Sequence, residues 1–151
     1  MLFNTLPQWL NHLETAHSSA IDMGLDRIRV VKERLQASGD LRLDCPIITV
    51  AGTNGKGSTC AFLEQILLAA GYKVACHTSP HILDFVERAR WGGADASEAA
   101  LLPFFQTVQD ACVGSNNEPT VSLSYHEFTP LVIVCWFDSL NLDVVVLAVG
   151  L

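Results

Sequence analysis

The stretch PIITVAGTNGKGST, residues 46–59, decides the fold. Its opening run, Pro46-Ile47-Ile48-Thr49-Val50, is apolar and rich in β-branched residues, which predicts a buried strand over 47–51. Three glycines and a lysine follow within Gly52–Ser58. Beyond them, Leu63, Ile66, Leu67 and Ala70 recur at helical spacing, so a helix is predicted over 58–70 with Gly71 as its stop. Strand, glycine loop and helix in this order place several backbone N–H groups and the positive end of a helix around one point, which suits a phosphate. Lys56 adds a point charge. Ser58 and Thr59 can offer a hydroxyl to Mg2+ or to phosphate, or can cap the helix. The spelling departs from the general pattern G-x-x-x-x-G-K-[ST], because Val50 stands where its first glycine belongs and Gly57 separates Lys56 from Ser58. The strand before and the helix after carry the reading.

On the N-terminal side, Thr5 precedes Pro7, Trp9, Leu10 and Leu13, the pattern of a capped helix, and Leu25, Ile28, Val31 and Leu35 form a second helical stripe that ends near Gly39. On the other side, Tyr72–His77 reads as a short strand running into Thr78-Ser79-Pro80-His81, where Pro80 ends regular structure. Residues 97–113 read as a helix that Pro103 kinks or shortens, 114–119 as a polar loop, and 125–138 as an apolar helix with Pro130 in or near its first turn. The chain closes with the continuous apolar run 142–151, the signature of a strand covered on both faces. Strands alternating with helices imply a parallel α/β sheet. Such sheets place ligands at the carboxyl ends of their strands, so the chain is expected to break off at the rim of its own site.

Composition narrows the function. The 151 residues are 50% hydrophobic and only 17% charged, enough apolar surface for one domain and little polar covering, which implies a missing partner surface. The net charge is −7, and the nine Lys and Arg residues are scattered singly, so no basic stripe exists for nucleic acid or an anionic membrane. Five cysteines at wide spacings, without a C-x-x-C pair, suggest neither zinc nor a disulfide framework. No signal-like leader and no run long enough to cross a bilayer is present, and the chain reads as cytoplasmic.

Gly52-Thr53-Asn54-Gly55-Lys56-Gly57-Ser58, then Thr78-Ser79-Pro80-His81, then Glu87-Arg88 with Arg90 and Gly93, together resemble the N-terminal ATPase domain of bacterial folylpolyglutamate synthase/dihydrofolate synthase, within the Mur ligase superfamily. The resemblance extends over 17–27, over Leu123-Ser124-Tyr125-His126-Glu127 and over the final strand. It implies part of a three-layer α/β/α parallel sheet of P-loop NTPase type. It also implies a ligase that converts a pteroate or folate carboxylate to an acyl phosphate with ATP, after which the amine of L-glutamate attacks to form an amide. ATP and Mg2+ are the implied cofactors, and dihydropteroate or folate, L-glutamate and ATP the implied small-molecule partners.

By that resemblance Gly52, Thr53, Asn54, Gly55, Lys56, Gly57 and Ser58 hold ATP, with Lys56 in the catalytic role. Ser79 and Ser58 serve the metal, and Ile21, Asp22, Ser124, Tyr125, His126 and Glu127 lie on the pterin side, although the family more often has an aromatic at the position of His126. Plainer roles compete: Ser79 as a turn residue, His81 as a structural hydrogen-bonder, Glu87 and Arg88 as a surface pair, Glu127 as a helix-start carboxylate, and Trp9, Trp91 and Trp136 as packing residues. One departure weakens the metal site. The family strand carries a Mg2+-binding glutamate in the pattern L-E-V-G-L-G-G, and here that position is Ala148, whose methyl cannot ligate a hard cation.

The expected organisation is one domain over 1–151, with a helical substrate-side lead-in at 1–45 and a P-loop α/β core at 46–151, cut short before a C-terminal domain. The chain alone is then expected not to complete amide synthesis. The alternative is a non-catalytic remnant that at most binds nucleotide or self-associates through an exposed sheet edge.

Overall fold

The structure, a computed structural model, describes residues 2–16, 25–115 and 118–150. Its contacts gather into two compact units, one formed by 1–42 with 98–136 and the other by 43–97 with 137–151. The last two helices, expected within a core at 46–151, therefore group for most of their length with the leading ones.

The second unit carries the sheet. The apolar runs read from the sequence form β1 (Ile47–Ala51), β2 (Val74–His77) and β5 (Val144–Val149), and two short strands, β3 (Ala89–Trp91) and β4 (Ala94–Asp95), complete it. The order is β1-β5-β2-β3-β4. The final strand inserts between the first two and runs parallel to both, pairing Val50 with Ala148 and Cys76 with Val146. Val145 and Val146 point to opposite faces and are both fully buried, as the unbroken β-branched run requires. The α/β class is as expected, with one correction: β3 pairs antiparallel with β2 and with β4, so the sheet is mixed at that end. The chain turns back through 78–88 to lay β3 against β2, and Gly92 and Gly93 make the tight turn from β3 into β4. Both adopt positive φ (60° and 82°), the geometry of a two-residue hairpin turn matched to strand twist.

Helix α3 (Lys56–Ala69) lies on one face of the parallel strands. Cys60, from this helix, packs with Val74, Cys76, Val144, Val146 and Ala148 of the sheet, flanked by Leu63, Leu67 and Leu68. The helix starts two residues earlier than its apolar stripe predicts. Gly55, at φ 76°, takes the position before the first turn and lets the chain enter the helix at Lys56, so Gly57 and Ser58 lie inside the first turn.

The first unit is helical: α1 (Leu6–Ala16), α2 (Asp26–Ser38), α4 (Glu98–Val113) and α5 (Tyr125–Asp138) as far as Trp136. Gly39 ends α2 in the left-handed conformation (φ 85°), as its place in the sequence predicts. Trp9 and Phe128 stack, and Phe105 packs against both. All three are buried, the packing role expected of Trp9. Arg34 of α2 donates to the carbonyls of Ala111 (2.9 Å), Cys112 (3.3 Å) and Pro119 (2.8 Å), satisfying the C-terminal end of α4. Pro103 does not shorten α4, which runs unbroken for 16 residues, and Pro130 stands sixth in α5, just past its first turn and near where it is expected. Among the described residues no helix is long and apolar enough to cross a membrane.

Candidate functional site

The glycine loop connects the C-terminal end of β1 to the first turn of α3. Gly52 (φ 149°) and Gly55 (φ 76°) supply the backbone angles that side chains disfavour. No side chain caps the helix, so the leading N–H groups of its first turn keep free hydrogen-bonding capacity, and Thr53, Asn54, Gly55, Gly57 and Ser58 are exposed. Thr59 is exposed as well, but its hydroxyl is taken up by a bond donated to the Gly55 carbonyl at 2.9 Å. Lys56 folds back over the loop and donates from Nζ to the Gly52 carbonyl at 2.6 Å. An ammonium has three donors, so two directions remain beside the helix N-terminus. The geometry is that of an anion cradle.

An open cleft of about 790 Å³ adjoins the loop. Gly57, Ala61, Glu64 and Gln65 of α3 line one side, and Cys76, Thr78, Ser79, Ile82, Glu87 and Arg90 are among the rest of its lining. The structure thus brings Ser79 and Gly57 to the same cleft, whereas Ser58, the other hydroxyl assigned to the metal, does not line it. Ala148 is buried on the α3 face of β5 and presents only a methyl group. Among the described residues no group of three or more His, Cys, Asp or Glu side chains is arranged to hold a metal ion.

The carboxylates of the cleft are already engaged. Glu64, 3% exposed, accepts from Arg90 Nε at 3.2 Å through both oxygens, while Arg90 also donates to Asp95 (2.6 Å) and to the Gly93 carbonyl (2.6 Å). Arg90 therefore joins the β3–β4 hairpin to the helix that starts at the phosphate loop. The sequence singled out Arg90 and Gly93 but not Glu64, which looks like any polar residue of a helix until its partner is known. Glu87 and Arg88 do not form a surface pair: the Glu87 carboxylate accepts backbone N–H groups of residues 82–84, while Arg88 is buried and donates from Nε to His81 Nδ1 at 2.7 Å. The backbone N–H bonds, that of Ile82 foremost, hold the Glu87 carboxyl below its usual range. His77 is buried, and its Nδ1 donates to the Arg88 carbonyl at 2.7 Å; burial lowers its pKa, so the ring is neutral. Cys76, though at the cleft, is pushed up to about 12 by burial and stays a thiol.

The pterin-side residues fall in the first unit. Glu127 reaches back over the start of α5, the carboxylate half of a capping box: Ser124 donates from N and Oγ to Glu127 Oε2, both at 2.8 Å, and Glu127 N donates to the Ser124 main-chain carbonyl at 3.0 Å. Arg27 occupies the same carboxylate at 3.1–3.2 Å. Glu127 thus holds the position of the helix-start carboxylate. Tyr125 is half-buried and meets the exposed His126 edge-on at 5.4 Å. Ile21 and Asp22 lie outside the described residues.

A glycine loop leading from a parallel strand into an uncapped helix, on a sheet of this order, defines an α/β domain of P-loop NTPase type. No protein-family model matches the chain. Over nearly its whole length the chain is similar to part of the dihydrofolate synthase/folylpolyglutamate synthases. It is 43% identical over 146 residues to the dihydrofolate synthase/folylpolyglutamate synthase of Escherichia coli (strain K12), a match covering 97% of this chain and 32% of that protein. The corresponding protein of Haemophilus influenzae is 44% identical over 147 residues, 97% of this chain and 31% of that one. Among solved structures, E. coli FolC in complex with DHPP and ADP superposes with a TM-score of 0.86 at 42% identity, covering 98% of this chain and 34% of that one. A bifunctional folylpolyglutamate synthase/dihydrofolate synthase with Mn, AMPPNP and L-glutamate bound gives 0.85 at 42% identity, with the same coverage. The chain spans about a third of the length of the curated relatives it matches.

Proposed function

We propose that this chain is the nucleotide-binding portion of an ATP-dependent amide-bond ligase of folate metabolism, one that joins L-glutamate to dihydropteroate or to a folate. The observation that carries the reading is the uncapped start of α3 with the Lys56 ammonium folded over it. The donors fit a triphosphate. In this reading Gly52, Thr53, Asn54, Gly55, Gly57 and Ser58 form the cradle, their backbone N–H groups holding phosphate oxygens, while Lys56 neutralises charge on the phosphoryl group in transit. Relatives bound to ADP, and to AMPPNP with Mn, support it. Ser124 to His126, with Ile21 and Asp22, are assigned to the pterin side on family resemblance, and Glu127 acts there by fixing the start of α5.

Mg2+ fits less well. The hard oxygen donors left for it are the hydroxyls of Ser79 and Ser58, since each carboxylate of the cleft is engaged and Ala148 stands where the family has glutamate. Ser79 and Ser58 would be its ligands from this chain, and the ion would offset negative charge on the phosphates. The five cysteines are free thiols, which supports a reducing, cytoplasmic setting.

Calorimetric titration with ATP in Mg2+ tests the proposal. The wild-type chain binds, and Lys56→Ala weakens binding roughly 10- to 100-fold, the worth of a charge-assisted hydrogen bond. Equal binding by the two proteins overturns the phosphate-loop assignment. A second reading, self-association, is favoured by two observations: among the described residues no strand pairs with the outer edge of β1, and Phe62 and Ile66 of α3 are 71% and 63% exposed.

A further inference from the structure

The segment that carries Ser79 into the cleft is tied down from both sides by two consecutive residues of the 3-10 turn Phe85–Arg88. Before Ser79, the Arg88 carbonyl accepts from His77 Nδ1 (2.7 Å) and from the Thr78 N–H (3.3 Å). After it, the Glu87 carboxylate collects three successive backbone N–H groups, with Ile82 N on Oε2 at 2.8 Å, and Leu83 N and Asp84 N on Oε1 at 2.8 and 2.9 Å. Asp84 returns the favour from its own side chain to the Glu87 backbone, closing a capping box. The Arg88 side chain adds a bond to His81 within the segment.

Ile82 and Leu83 are 89% and 90% exposed. Two large aliphatic side chains held in water favour collapse onto the nearest apolar wall, and Ile82 already lines the cleft. What opposes that collapse is the Glu87 carboxylate, which binds the main chain of both residues. We propose that Glu87 is a positioning residue: its carboxylate latches residues 82–84 and so keeps the Ser79 wall of the nucleotide cleft in place. The latch rests on the nucleotide-binding reading, and although Glu87 is part of the cleft lining, its carboxylate is taken up by the main chain of 82–84.

Amide hydrogen exchange and MgATP calorimetry on the wild type, Glu87→Gln and Glu87→Asp test it. A glutamine offers one oxygen where three N–H groups converge, and turns an N–H2 toward donors. In Glu87→Gln the amides of 82–84 exchange at least tenfold faster, those of β1, β2 and β5 are unchanged, and the Kd for MgATP rises at least fivefold; Glu87→Asp falls between. Faster exchange at 82–84 with an unchanged Kd overturns the role in the cleft, and unchanged exchange overturns the latch itself. Should Glu87→Gln loosen the strands as well, Glu87→Asp decides by the same two criteria. Failure of the nucleotide reading shows separately, as a wild type that does not bind MgATP or a Lys56→Ala variant that binds it equally, and either result removes the proposal with it.

Discussion

At residue scale, Gly55 shows how one backbone angle builds the loop. Its φ of 76° costs a side-chain-bearing residue about 1–2 kcal/mol, and an added Cβ would meet nothing within 4 Å. Gly55→Ala is therefore expected to lower stability by about that amount through strain alone, measured as a fall in urea midpoint, with no steric collapse of the loop. A second residue-scale expectation concerns Cys76 and Cys112, both held protonated up to about 12 by burial, against 9.0 for an exposed thiol. Below pH 9 both states carry neutral thiols and the contribution is complete. As pH rises from 9 toward 12 the unfolded chain ionises and the folded one does not, so stability falls, by about 1.4 kcal/mol per pH unit for each thiol. Urea unfolding at pH 8 and 10.5 checks the direction, and Cys112→Val should shallow the slope.

At the scale of elements, the Glu64–Arg90 contact joins helix to hairpin, and its loss is costly on one side only. Arg90→Ala leaves the Glu64 carboxylate nearly buried and without its guanidinium, for an expected cost of about 2–4 kcal/mol, short of a fully buried pair because the Arg90 side chain is 30% exposed. Chemical denaturation measures it, and Arg90→Ala combined with Glu64→Leu should recover part of the loss. The elements themselves differed in legibility. The strand-loop-helix at 47–69 was readable because apolar periodicity and glycine placement agree locally. The hairpin at 89–95 was not read, although Gly92-Gly93 is a strong local signal, because strands of three and two residues carry too little periodicity to stand out. Pro103 misled in the opposite direction: packing of Leu101 and Phe105 keeps α4 intact past its proline, whereas α5 spans the expected 125–138.

For the whole molecule, the net charge of −7 and the open sheet edge act against each other: charge keeps copies apart, while β1 and the Phe62–Ile66 face invite contact. If the face drives self-association, Ile66→Lys should move the chain toward monomer in sedimentation at rising concentration, and added salt should favour the associated form of the wild type. A wild type that stays monomeric under both conditions removes that reading. The candidate site divides along the same line as the fold. The phosphate loop could be read from residues 46–59 because all of its parts are neighbours in the chain, each dictating the backbone of the next. The insertion of β5 between β1 and β2, the pairing of Glu64 with Arg90 and the latching of 82–84 by Glu87 were decided only by tertiary structure. The first two join groups far apart in sequence, and the third depends on how a short irregular turn folds back. Buried area and hydrogen-bond geometry choose such partners, and local propensity is silent about them.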